Sequence, residues 1–145
     1  MPRLSFPLTS AGCELTVNVG VSRQREQALK AANVRVPSVV SVRMILDTGA
    51  TETVIDEKVL HNLGLTPTGI MQILTPSTKG VPYNCSTYDV MLGIYHAEYP
   101  MIENTFPVIG SDFSGQRIQG LIGCDVLSRC LMVYDGVSKT FTLAF

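Results

Sequence analysis

The sequence has no tryptophan, two histidines among 145 residues, and little charge: 11 Lys and Arg against 12 Asp and Glu, for a net charge of -1. A balance so near zero offers no basic stripe for a phosphate backbone and none for an anionic bilayer. Neither nucleic acid nor membrane is therefore expected as a partner. His61 and His96 stand far apart, and neither has a second ligand at metal-binding spacing. Cys13, Cys85, Cys124 and Cys130 form no CxxC pair, which removes the usual zinc and dithiol signatures. Neither a metal nor another cofactor is expected. No apolar run reaches the roughly 20 residues of a spanning helix. The first eight residues contain Arg3 and two prolines but no apolar stretch of the signal-peptide kind. Free thiols without a leader predict a cytoplasmic protein.

What the sequence does have is apolar residues, 46 % of the chain, enough for a real core within one domain. Residues 1–145 read as that single domain, with 1–12 as an N-terminal extension and 22–33 as an inserted helix or loop. The insert is rich in helix formers, with Ser22 placed to cap and Glu26 four residues before Lys30. A short helix is predicted over 56–63, capped by Asp56 and ended by Gly64. Nearly everything else alternates or runs apolar in short stretches. The first strand is predicted at 15–19, and others at 39–46, 71–75, 86–94, 106–110, 131–134 and 140–145. Asp135-Gly136 is a hairpin signal between the last two. Many short strands with one or two short helices make an all-β, barrel-like sheet. An apolar final strand is a sticky edge unless covered, so it is expected at an interface.

Two glycine loops carry the chemistry. The first is Asp47-Thr48-Gly49-Ala50-Thr51, at the end of an apolar strand that reads as flanked on both faces. A carboxylate there costs free energy unless it is hydrogen-bonded or used. Gly49 frees the turn, Ala50 keeps it slim, and the hydroxyls of Thr48 and Thr51 can tie it to itself. Taken alone, an Asp-Thr-Gly is most simply a tight turn. The second stretch is Gly120-Leu121-Ile122-Gly123-Cys124-Asp125-Val126-Leu127, an apolar pair leading to a glycine and a short helical turn.

With both loops in order and in strand context, the chain from about Val34 to Phe145 resembles the retroviral-type (retropepsin-like) aspartic proteases, in their bacterial and cellular branch. The resemblance implies a closed barrel-like retropepsin fold with one lobe per chain. It also implies a homodimer, and an aspartic endopeptidase acting on peptide or protein substrates. Asp47 would be the catalytic group, one from each chain. Thr48, Gly49, Ala50, Thr51, Gly123 and Asp125 would support the active-site loop. Ser77, Thr78, Lys79, Gly80 and Val81 would form the flap over substrate. The family commonly has arginine after the glycine of the second motif, where this chain has Cys124, and some members have an acidic residue where Thr51 stands. An alternative of another class is a dimeric module of the same fold that binds peptide without cutting it.

Overall fold

A computed structural model describes all residues, Met1–Phe145. Ten strands and three short α-helices follow one another as β1 (Arg3–Pro7), β2 (Glu14–Val21), α1 (Arg23–Ala31), β3 (Val40–Leu46), β4 (Val54–Asp56), α2 (Glu57–Asn62), β5 (Gly69–Ile73), β6 (Tyr83–Ile94), β7 (Met101–Ser111), β8 (Gly120–Ile122), α3 (Cys124–Leu127), β9 (Leu131–Asp135) and β10 (Thr140–Ala144). Seven strands form one sheet in the order β2-β3-β8-β4-β7-β6-β5. An additional pairing of β2 with β6 closes six of them into a barrel, so the all-β, barrel-like expectation holds. Closure leaves a free edge in this sheet only at β5, which is paired with β6 alone.

The barrel forms because its strands alternate. In β2 and β3 alternate side chains turn inward, and Val17, Val19, Val42 and Met44 among them are fully buried. Strand β3 is not apolar on both faces as the sequence suggested: Ser41 and Arg43 are exposed. Arg43 instead reaches Glu14, which Arg117 also approaches at 3.4 Å. The core cluster continues through Tyr88, Ile122 and Val126 to Phe141 and Leu143, so the second, smaller sheet packs on the same core.

That second sheet, β1-β10-β9, corrects two readings. The first strand is β1, not the segment at 15–19, because Arg3–Pro7 pairs with Thr140–Ala144 at the far end of the chain. No local pattern announces a partner so distant. The final strand is also not an edge. It lies in the middle, paired antiparallel with β1 on one side and β9 on the other.

Each helix has a local cause. Ser22 accepts a hydrogen bond from the Arg25 amide at the start of α1, a helix with no buried residue. Asp56 does the same for the Lys58 amide at α2, which buries Val59 and Leu60. Gly123 stands at the N-cap of the four-residue α3. No helix is long and apolar enough to cross a membrane.

Candidate active site

Strand topology dictates where residues 47–53 run. Strand β8 lies between β3, which it pairs in parallel, and β4, which it pairs antiparallel. A loop leaving β3 and returning on β4 must therefore pass over the end of β8. At that end stands Gly123. A Cβ there would sit 2.6 Å from the Glu52 carbonyl oxygen, closer than a side chain allows, and a tight 3.0 Å from that of Ala50. Only glycine admits the crossing.

The crossing is stitched by hydrogen bonds. The Asp47 amide donates to the Ile122 carbonyl at 2.9 Å, the Cys124 amide to Ala50 at 2.8 Å, and the Asp125 amide to Thr51 at 3.1 Å. Thr53 completes the clasp. Its amide and hydroxyl donate to the two Asp125 carboxylate oxygens at 2.8 and 2.7 Å, and the hydroxyl accepts from the Gly123 amide at 3.1 Å. Sequence reading missed Thr53. Its sole signal is a threonine just before β4, and its partner lies 72 positions away.

Asp47 itself is half-buried, and one carboxylate oxygen accepts from the Gly49 amide at 2.8 Å. Thr48 is exposed beside it, and the exposed Cys124 thiol donates to the Thr48 carbonyl at 3.4 Å. The absent arginine thus leaves a small neutral group at this position.

Asp47 opens into a cleft of about 740 Å³. Gly49, Ala50, Thr51, Ser77 and Thr78 share its lining; Thr48, Lys79, Gly80, Val81, Gly123 and Asp125 do not. Val54, Ile109, Phe113 and Leu121 supply much of its apolar wall, and Glu52 adds a second carboxylate that sequence reading had not singled out. The wall also holds Cys85 and Tyr83. Burial pushes the Cys85 thiol up, and the neighbouring Cys85 pushes Tyr83 up in turn, so both stay protonated and neutral. Over the cleft hangs the β5–β6 hairpin, whose paired part ends at Ile73 and Tyr83. In the connection a single 3₁₀ turn, Pro76–Thr78, is followed by Lys79 and Gly80, both with positive φ. No group of three or more potential metal ligands occurs.

A sequence model described as aspartyl protease matches residues 32–126, from before β3 through the second glycine loop. The chain belongs to the aspartyl protease family. Among solved structures it is similar to a retropepsin-like aspartic protease from Rickettsia conorii, with 14 % identity and a TM-score of 0.58 over 99 % of this chain and 90 % of that one. It is also similar to the retroviral protease-like domain of Ddi1 from Leishmania major, with 18 % identity and a TM-score of 0.40 over 84 % and 81 %. No match was found among curated proteins. The first likeness shows the fold: this aspartyl protease family member is retropepsin-like and all-β. Both glycine loops, with the aspartate and the crossing glycine, lie inside the matched residues.

Proposed function

We propose that this family member is an aspartic endopeptidase whose site is completed by a second copy of the chain. One observation carries the reading: the cleft has a single Asp47, half-buried on a loop braced from behind by the second glycine loop. One such carboxylate is half of a dyad. Two held about 3 Å apart cannot both ionise and share one proton. The ionised member takes a proton from a water held between the pair. As the water oxygen bonds to the scissile carbonyl carbon, the protonated member donates to the carbonyl oxygen. Collapse of the tetrahedral adduct breaks the C–N bond, and the departing nitrogen takes the proton from the dyad. Thr48, Gly49, Ala50 and Thr51, with Gly123 and Asp125 behind them, hold the loop in register for this exchange.

The substrate is an extended peptide. The apolar wall of Val54, Ile109, Phe113 and Leu121 suits apolar side chains on either side of the cut bond. The hairpin connection acts as the flap: Ser77 and Thr78 face the cleft, while Lys79, Gly80 and Val81 form the part that swings. Backbone relaxation is expected to show residues 76–81 more mobile than β5 and β6 until a substrate-like inhibitor binds. Equal rigidity in both states would remove the flap.

Cleavage of a diverse peptide library at pH 4–8, with wild type beside Asp47→Asn, tests the chemistry. Asn keeps the shape of Asp and cannot act as base, so turnover is expected to vanish from a folded protein, with wild-type activity highest in acid. Turnover retained in a well-folded Asp47→Asn overturns the mechanism. Peptide binding without turnover in the wild type establishes the non-catalytic module instead.

A further inference from the structure

A charged cluster that lines no part of the cleft ties the turn after β1 to the start of β2, to β3 and to the connection between β7 and β8. Its centre is Glu14, whose side chain is only 11 % exposed, so the carboxylate must be satisfied by the protein. Thr9 donates its hydroxyl to Oε2 at 2.9 Å. Arg117 brings Nη2 to within 3.4 Å of the same oxygen, and its Nη1 donates to the Ser10 hydroxyl at 3.0 Å. Arg43 on β3 stands 3.8 Å from Oε1 and donates to the Arg117 carbonyl at 2.7 Å. The carboxylate thus lies between two guanidinium groups, and the backbone of one is held by the side chain of the other.

Arg117 belongs to a connection that also builds the cleft. Phe113, 8 % exposed, stands in the apolar wall. A tight turn joins the two residues: the Gln116 amide donates to the Phe113 carbonyl at 3.0 Å, with Gly115 at positive φ. Beyond Arg117, the Gln119 amide donates to the Arg43 carbonyl at 2.7 Å. The Phe113 turn therefore hangs from the charged cluster. We infer that Glu14 is a positioning residue for substrate binding: through Arg117 it fixes where Phe113 stands in the apolar wall. The inference rests on the peptidase reading above and names a residue outside the cleft that governs how tightly the cleft takes an apolar side chain. Both arginines are about half exposed, so their pairs add little to global stability. Local order is what they decide, because residues 112–119 form no strand or helix of their own. A carboxylate that accepts from several donors at once holds a guanidinium in one orientation, and so holds the turn beside it. Glu14 and Arg117 make no hydrogen bond to residues 47–53, which leaves the chemistry at Asp47 untouched.

Kinetics and fluorescence of the full chain test this with Glu14→Gln, which keeps the shape and removes the charge, and Arg117→Ala. The kinetic probe is a peptide from the library with apolar residues on both sides of the cut bond. Each variant is expected to raise its KM about three- to tenfold while kcat stays within about twofold of wild type. Added to Phe113→Ala, which removes the ring itself, Glu14→Gln should change KM no further. The chain has no tryptophan, so Phe113→Trp places a single fluorophore in the loop. Glu14→Gln or Arg117→Ala in that background should shift its emission to the red and raise its quenching by acrylamide about twofold or more, with the thermal midpoint little changed. Emission and quenching that stay the same in both variants overturn the inference whatever the turnover. So does a fall in kcat at unchanged KM, or a KM effect that persists in full without the Phe113 ring. If the wild type binds the peptide without cutting it, the same variants should raise Kd by the same factor, which upholds the inference and removes the peptidase reading.

Discussion

Thr53 is wholly buried, and its hydroxyl serves two partners that have no other use for it. Thr53→Val keeps the shape and removes the hydroxyl. The buried Gly123 amide then loses its partner, and Asp125 Oδ1 keeps only the Val126 amide. Leaving buried polar groups unpaired costs about 1–3 kcal/mol, and a shift of the Asp47 loop by a fraction of an ångström lowers kcat by about tenfold or more. Thr53→Ser keeps the oxygen and loses one methyl, so a cost near 0.8 kcal/mol with near-normal kcat is expected. Steady-state kinetics and denaturant melts of both variants check this. A kcat in Thr53→Val equal to that of wild type, once the folded fraction is allowed for, would make Thr53 a fold residue only.

At the scale of elements, the β9–β10 hairpin depends on pH in a direction that can be worked out. The Asp135 carboxylate accepts from the Val137 and Ser138 amides at 3.0 and 2.9 Å. Hydrogen bonds from the Ser138 backbone first, then its side chain and Val137, hold Asp135 below the usual carboxylate range. Asp112 is held down in the same way by Ser114, where the chain leaves the cleft after β7. A depressed folded value means that the stabilisation is complete above the ordinary value near 3.9 and is lost as pH falls through the folded value. Thermal midpoints of wild type and Asp135→Asn from pH 3 to 7 are expected to lie furthest apart at neutral pH and to converge in acid. A gap independent of pH would show that the carboxylate's charge has no part in the turn.

On the scale of the whole molecule, the barrel closes on itself through β2 and β6, and one core runs from it into the small sheet. Folding and completing the site are then separate problems. A chain with its own closed core has the means to fold before it meets the second copy proposed above. The aspartate loop and the strand leading to it were legible in the sequence, and the place of Gly123 behind that loop was implied only by the family resemblance. Each depends on near neighbours: a run of apolar residues marks a core strand even where its outer face proves exposed, and the absence of a side chain at Gly123 is itself a local fact. Long-range pairings were not legible. Arg3–Pro7 reads as a proline-flanked tail until β10 is beside it, and the final strand reads as an edge until β1 covers it. Thr53 is one threonine among many until β8 is set between β3 and β4 and brings Asp125 within 2.7 Å. Sequence by itself determined the aspartate, its loop and the all-β class, because side-chain period and glycine are properties of a few adjacent residues. Tertiary structure alone decided what braces that loop and which strand is left open, because those depend on residues brought together from opposite ends of the chain.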